Sequence, residues 1–524
     1  MTLKKKFSII IFIIFSTLLL FFLIYKNHLW VIGHYLSLFI VFIEDVFFYL
    51  ISYPYIYPIL YWITYISAII GFLAIFIIVF WYGKVRKRFS SPVKDGSISA
   101  FKFILIVIII LGFSQFLLSI FFREIFFQLS NILFIISAIF LGIRVIVNIP
   151  FSILFRPTNK TLEDLPLVSI IIPAYNEGKV IEKTINSLFR LNYNQKEIIV
   201  VDDGSRDETL KIARNMKKND AFKVISKKKN GGKWSALNKG IEKAKGNILV
   251  CIDADTILNK NAILPLIKHF SDSKVGAVAG NVKVGNRDKF LTKLQALEYI
   301  SDLNIQRRTE AYFNKVSVVP GPLGAFRKSI IKQVGFYSGD TFAEDADLTL
   351  KILKAGYKIK YEPKAIGYTE APAFLIDLAK QRYRWYRGLL QVIIKHKDML
   401  FNSNYGITGV FMIPWIFLNG LIFSWLNFIT VLWLFLFVLN PISGFLMYIE
   451  IYIFWFFFIW ILDTLINAYA ICVDEEEKIK LIFYIIAYKL FYGYIINTIR
   501  ILSQLEQYLN YPMRWETTKR INSL

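Results

Sequence analysis

Long apolar runs on both sides of a polar middle constrain this chain more than any single motif. Residues 56–81, 103–122, 125–147 and 445–472 are each long enough to cross a bilayer as a helix, which takes about 20 apolar residues. Lys4, Lys5 and Lys6 precede a further run, residues 7–25. No small-residue cleavage site follows it, so it reads as a first span and not as a cleaved signal. Residues 35–51 are broken by Glu44 and Asp45 and read as a re-entrant or surface-lying segment. Residues 409–439 hold one span and more, with Pro414 as a break. Residues 481–502 contain Lys489 and Arg500, so they either cross or lie in the interface. Hydrophobic residues make up 56% of the chain, an excess that suits a membrane protein with an ordinary soluble part.

The basic loop 84–102 marks a cytoplasmic side. With the N-terminus inside and residues 35–51 not crossing, the hairpin around Arg123 and Glu124 brings the chain back to the cytoplasm. The expected division is an N-terminal transmembrane region (1–150), a cytoplasmic domain ending in an interfacial amphipathic helix (151–400), and a C-terminal transmembrane region with a basic tail (401–524). Three crossings in that last region would leave Arg514, Lys519 and Arg520 outside. Basic tails prefer the cytoplasm, so one of the three segments is expected not to cross.

Lys+Arg 62 against Asp+Glu 38 gives a net charge of +24. The cations cluster beside apolar spans and in the middle region, which favours membrane lipids and anionic sugar nucleotides as partners over nucleic acid. Cys251 and Cys472 are far apart and form no CxxC pattern, and four histidines show no ligand spacing, so a disulfide framework or zinc site is not expected.

From residue 167 short apolar runs alternate with amphipathic ones. Strands are expected at 167–172, 197–201, 222–225 and 248–252, with helices at 179–190, 207–216 and 233–245. Such alternation means βαβ units and a mostly parallel sheet. Parallel strands end in loops on one edge, where α/β sheets bind ligands. The first loop, residues 173–177, brings Ala174, Tyr175 and Glu177 to a nucleotide site. The second brings Asp202 and Asp203, either of which could accept a hydrogen bond from the imide of a uracil ring. Ser205 and Asp207 read better as helix caps. The strand 248–252 ends in Asp253-Ala254-Asp255, a carboxylate pair that could hold a hard divalent cation with phosphates and water, or could be a plain turn. Gly231, Gly232 and Lys233 open a helix and suit a phosphate, though a simple glycine turn is equally compatible.

Further on, Gly321 lies in a Gly/Pro loop with close backbone access, suited to a sugar or acceptor passing over it. Glu344, Asp345 and Asp347 form a solvated face or include a partly buried carboxylate with a raised pKa, able to act as general base. In residues 381–388 a helical spacing of about 100° puts Gln381, Arg384, Trp385 and Gly388 on one face, with Ala379, Tyr383, Tyr386, Leu390 and Ile393 roughly opposite. An ordinary interfacial helix with snorkelling arginines has the same composition.

Taken in order, Asp202-Asp203-Gly204-Ser205, Gly231-Gly232-Lys233 with Ala236, Leu237 and Asn238, Asp253-Ala254-Asp255, Glu344-Asp345 and Gln381 with Arg384-Trp385 resemble the family 2 glycosyltransferases. The set is most similar to the processive, membrane-embedded branch of poly-N-acetylglucosamine, cellulose and hyaluronan synthases. The resemblance implies a GT-A-type α/β domain between transmembrane helix bundles and an inverting, single-displacement transfer. It implies Mg²⁺ or Mn²⁺ on Asp253 and Asp255 against the diphosphate of a UDP-sugar, UDP-N-acetylglucosamine or UDP-glucose. Asp203 with Asp202 would contact uridine, and Lys233 would sit near the nucleotide. Asp345 matches the general base. Gly321, Glu344, Gln381, Arg384 and Trp385 would line the acceptor or product side. Where the family has Thr-Glu-Asp, this chain has Ala343-Glu344-Asp345, which keeps the base and removes a hydroxyl.

The expected function is a multi-pass synthase that extends a β-linked polysaccharide on the cytoplasmic side and passes it through its own spans. The rivals are a single-transfer enzyme acting on a lipid carrier or acceptor, and a non-catalytic transporter or scaffold. Gln381, Arg384 and Trp385 just before the returning membrane run weigh against the first. The intact acidic motifs weigh against the second.

Overall fold

The computed structural model describes residues 123–511, except 159–161, 163, 218, 219, 440–444, 475, 476 and 478. The runs at 7–25, 35–51, 56–81 and 103–122, the basic loop 84–102 and the tail with Arg514, Lys519 and Arg520 lie outside the described residues. The chain divides into two compact units that change over between Pro150 and Phe151, Gly420 and Leu421, and Leu505 and Glu506.

Among the described residues three helices are long and apolar enough to cross a membrane: Ile132–Leu154, Thr408–Val431 and Lys480–Tyr508. The last contains the two cations that left its placement open. Lys489 pairs with Asp463, and Arg500 donates to Ser424 Oγ at 3.3 Å. Ionisable groups tolerate apolar surroundings under this condition, with a partner inside the same unit.

The polar unit is built on one sheet of eight strands: β1 (Val168–Ala174), β2 (Lys196–Asp202), β3 (Phe222–Ser226), β4 (Ile248–Cys251), β5 (Thr256–Leu258), β6 (Val275–Val284), β7 (Gly324–Arg327) and β8 (Lys358–Thr369). Their order is β3-β2-β1-β4-β7-β6-β8-β5. The βαβ half came out as expected, with β3, β2, β1 and β4 parallel. The expectation of a mostly parallel sheet needs correcting. β7 runs antiparallel to both β4 and β6, and β5 antiparallel to β8, so the sheet is mixed. The reason is legible afterwards: β7 is Gly-Ala-Phe-Arg and β5 is three residues long, so neither shows as an apolar run.

Both faces of the sheet are covered, which is why β1 and β2 read as unbroken apolar runs and not as alternating ones. Ile170, Ile172, Ile198 and Val200 enter one core, and Ile171, Ile199, Val201 and Leu249 the other. Pairing of β1 with β4 stops at Ile171 and Cys251, while pairing with β2 continues to Ala174 and Asp202. Pro173, which lacks an N–H, sits beyond the last β4 pair. The chain turns from β1 to β2 on one side and to β4 on the other, so a crevice opens at the carboxyl ends of β1 and β4.

Two helices close the crevice. Glu344–Lys354 carries Glu344, Asp345 and Asp347 in its first turn and Lys351 and Lys354 in its last, as the helix dipole favours. Leu375–Lys395 is the 21-residue helix that holds the Gln381–Trp385 motif. The two are bolted together by fully buried Asp347, which accepts from His396 Nε2 and Lys395 Nζ at 2.9 Å and faces Lys351 Nζ at 3.1 Å. Burial works against the Asp347 carboxylate, but His396, Lys395 and Lys351 outweigh it and hold its pKa well below the usual carboxylate range. A depressed folded value means stabilisation that is complete above the unfolded value of about 3.9 and is lost as pH falls below it. Asp347→Asn should lower the unfolding midpoint at neutral pH, costing about 2–3 kcal/mol for hydrogen bonds to a charged group. The deficit should shrink on acidification below the unfolded value; an equal midpoint shift in acid and at neutral pH would show another origin.

Candidate active site

The crevice is lined by the loops that end the first strands, and these loops hold each other. Asn176, with φ 55°, donates its amide to Ser205 Oγ at 3.0 Å and accepts the Arg206 amide on its side chain at 2.9 Å. The Glu177 amide donates to Thr209 Oγ1 at 2.8 Å, and the Gly178 amide to Asp207 Oδ2 at 3.0 Å. Asp207 also accepts the Thr209 amide at 3.1 Å, so it caps the next helix and staples the first loop to the second. Ala174 is buried and Tyr175 half-buried at the base of this pair of loops.

Asp202 and Asp203 are both buried. Asp202 Oδ1 accepts the Ser205 amide at 3.3 Å. Asp203 accepts from the Gly231 and Gly232 amides, the latter at 2.8 Å, and from the Lys227 ammonium. Asp203 therefore shapes the glycine turn that opens the helix Lys233–Lys243. Gly232 needs its lack of a side chain there, with φ +89°.

Asp253 and Asp255 do not extend a strand. β4 ends at Cys251, and Ala254-Asp255 turns the chain into β5. The two carboxylates consequently have different surroundings. Asp253, a quarter exposed, has Oδ1 2.6 Å from Lys233 Nζ. Asp255 is buried, with the hydroxyls of Thr256 and Thr369 at 3.5 Å, and its charge reaches the Tyr299 hydroxyl.

Lys233 is the hub. Besides Asp253 its ammonium meets Glu344 Oε1 at 3.3 Å. A Cβ on Gly321 would fall 2.5 Å from this ammonium and 3.4 Å from either Asp253 oxygen, so a side chain here would displace the Lys233 ammonium. The Gly321 amide in turn donates to Asp345 Oδ2 at 3.2 Å, while Asp345 Oδ1 accepts the Ala346 amide at 2.8 Å. Lys233, Asp253, Gly321, Glu344 and Asp345 are thus brought to one place by four separate segments. Burial works to lower the Lys233 pKa, but Asp253, Glu344 and Asp345 together push it above the ordinary lysine value. Burial raises the Glu344 carboxyl, against the pull of Lys233. The sequence placed Lys233 beside a nucleotide; here it joins the Asp253 turn to the Glu344–Asp345 loop.

The Leu375–Lys395 helix is less two-sided than its spacing suggests. Two of its three arginines do not snorkel: Arg382 and Arg387 are buried, and Arg384 is half-buried. Arg382 binds Glu298 in a fork, with Nε 3.1 Å from Oε1 and Nη2 2.5 Å from Oε2, and donates to Gln381 Oε1. Its guanidinium lies 4.1 Å from the centre of the Trp385 ring, and Tyr299 packs against Trp385 with ring centres 6.1 Å apart. A planar cation stacked on an indole and held by a bidentate carboxylate fixes that indole firmly. Glu298, Tyr299 and Arg382 were not singled out from sequence; only the position of Arg382 inside the motif hinted at it. Gly388 is pressed on the Phe342–Ala343 backbone, and Gln391 Oε1 accepts the Phe342 amide at 2.9 Å. This helix therefore sets the loop that presents Glu344 and Asp345.

Asp253 and Asp255 supply hard oxygen donors, and Lys233 already places positive charge on Asp253, so the turn accepts a cation's charge. Among the described residues no group of three or more His, Cys, Asp or Glu could hold a metal ion alone. The pair could hold a divalent cation only together with phosphate and water oxygens, the usual habit of such ions beside nucleotides.

With this geometry, comparison with known proteins is direct. Residues 169–335 match the model for glycosyl transferase family 2. Over those residues the polar unit is similar to the family 2 glycosyl transferases. The chain is 34% identical over 252 residues to the poly-beta-1,6-N-acetyl-D-glucosamine synthase of Staphylococcus epidermidis, covering 47% of this chain and 61% of that protein. It is 35% identical over 235 residues to the enzyme of the same name from Staphylococcus aureus strain COL, covering 45% and 57%. The match thus spans about three fifths of these relatives, 61% and 57% of their lengths. The fold is similar to that of a mannosyltransferase from Pyrobaculum calidifontis in complex with GDP-Man and Mn²⁺, with TM-score 0.51, 20% identity, and coverage of 67% of this chain and 99% of that one.

Proposed function

We propose that this chain is a membrane polysaccharide synthase that transfers N-acetylglucosamine from UDP-N-acetylglucosamine to a growing β-linked glycan. The observation that carries the reading is the meeting of Lys233, Asp253, Gly321, Glu344 and Asp345 in one crevice. The choice of donor is supported by the likeness to the staphylococcal synthases. The nucleotide lies over the loops after β1 and β2, with Ala174, Tyr175, Glu177 and Asp202 around the base and ribose, and Asp203 shaping the glycine turn. Asp253 and Asp255 hold Mg²⁺ or Mn²⁺, which offsets negative charge on the diphosphate.

Asp345 takes the proton from the acceptor hydroxyl as that oxygen bonds the anomeric carbon. The bond from that carbon to the diphosphate breaks in the same step, so configuration inverts and UDP leaves. The Gly321 and Ala346 amides orient the Asp345 carboxylate. Lys233 stands beside the departing diphosphate and keeps Glu344 as a local counter-charge. Gln381, Arg384 and Trp385 hold the acceptor end, Trp385 as a stacking platform for a sugar ring. The catalytic unit faces the cytoplasm in a multi-pass protein, and the product passes through the protein's own spans.

The test uses the full chain in lipid vesicles, offered a panel of UDP-sugars, with product size as readout. Consumption of UDP-N-acetylglucosamine into long polymer is expected; a product extended by a single sugar would overturn the synthase reading. Calorimetry tests the cation: Asp253→Ala with Asp255→Ala should remove the Mg²⁺ or Mn²⁺ dependence of UDP binding. Binding that stays metal-dependent would place the ion elsewhere.

A further inference from the structure

A buried polar chain runs from the segment Glu506–Tyr511 to the loop before Asp345. Tyr383 donates its hydroxyl to Glu506 Oε2 at 2.5 Å and accepts from Arg387 Nη1 at 2.7 Å. Arg387 Nε donates to Gln507 Oε1 at 2.9 Å, and Arg387 Nη2 to the Tyr511 carbonyl. Gln391 Nε2 donates to the same Gln507 oxygen at 2.8 Å, and Gln391 Oε1 accepts the Phe342 amide at 2.9 Å. Arg387 also lies 5.5 Å from the centre of the Phe342 ring. Arg387, Gln391 and Glu506 are buried.

An open surface pocket of about 350 Å³ lies alongside, lined by Asp340, Thr341, Arg387, Gln391, Gln507 and Tyr511 among others. Close packing therefore does not fill the space between the Asp340–Thr341 loop and Glu506–Tyr511. What connects them is the row of directional hydrogen bonds, and such bonds in a buried setting define one geometry. The row ends on the amide of Phe342, three residues before Asp345.

We propose that Gln391 and Gln507 are positioning residues for transfer: they relay the placement of the Glu506–Tyr511 segment to the loop that presents Asp345. This rests on the reading of Asp345 as general base. Gln507 is the useful probe because its hydrogen bonds reach that loop only through Arg387 and Gln391, neither of which is placed at the substrate. Its single oxygen accepts two bonds, from Arg387 and Gln391, so Gln507→Glu retains both and Gln507→Leu loses both.

The experiment compares Gln507→Leu, Gln507→Glu, Gln391→Met and Asp345→Asn as full chains in lipid, with UDP-N-acetylglucosamine as donor. Turnover, UDP affinity and thermal midpoint are read for each. Misplacement of a reacting group costs roughly ten- to a hundredfold in rate, and kcat of Gln507→Leu and Gln391→Met should fall by about ten- to a hundredfold on that basis. Their UDP affinity should stay near wild type, their midpoint should fall but leave them folded at the assay temperature, and Gln507→Glu should keep most of the wild-type kcat. Wild-type turnover in Gln507→Leu, or equal loss in Gln507→Glu, overturns the relay while an inactive Asp345→Asn leaves the base in place. Turnover in Asp345→Asn removes the base, and the relay with it.

Discussion

Asp345→Asn should abolish sugar transfer and leave metal-dependent UDP binding unchanged. The substitution keeps the size of the side chain and one of the two oxygens that accept from the Gly321 and Ala346 amides, so the loop loses one of these two bonds and keeps the other. It removes the proton acceptor, a contribution of roughly 10²- to 10⁴-fold in rate for a positioned general base. Single-turnover kinetics beside UDP calorimetry separates the two effects. Retained turnover assigns the proton to another group, and Glu344, whose carboxyl is raised by burial, is the first alternative.

Gly388→Ala is the second large effect, and its interest is that stability and activity should part. In a helix interior alanine gains about 1 kcal/mol over glycine. The added Cβ would fall 2.7 Å from the Ala343 amide nitrogen, 2.8 Å from the Ala343 Cβ and 2.9 Å from the Phe342 carbonyl carbon. These are mostly backbone atoms that cannot rotate away, and overpacking of this kind costs about 1–3 kcal/mol. The two terms offset in part, leaving a net cost of about 0–2 kcal/mol, so the unfolding midpoint should fall by a few degrees at most. The strain is relieved by shifting the Phe342–Ala343 loop, and with it Asp345, with a loss in kcat of roughly ten- to a hundredfold. A variant with wild-type kcat would mean that the helix, not the loop, gives way.

The parallel half of the sheet was legible in the sequence because β1, β2 and β4 are buried on both faces and therefore written as apolar runs. The mixed half was not, because β5 and β7 owe their existence to partners and not to their own composition. The acidic motifs were visible as side chains at loop positions. Their division of labour was not: the pattern Asp-Ala-Asp does not say that one carboxylate pairs with Lys233 and the other is buried beside Thr369. Glu298 shows the limit most clearly. It lies in an unremarkable helix, 84 positions from Arg382, and only the folded chain brings the two into a fork.

The sharing of Lys233 between the Asp253 turn and Glu344 has a consequence for how the protein is made. β1 to β4 can assemble as the chain emerges, since β1 meets β2 and β2 meets β3 within about 30 residues and β4 adds to β1 within about 80. The Asp345 loop acquires its position only when the Leu375–Lys395 helix and then Glu506–Tyr511 have been synthesised. A nascent chain therefore completes the β1–β4 edge well before the loop that presents Asp345 is held in place.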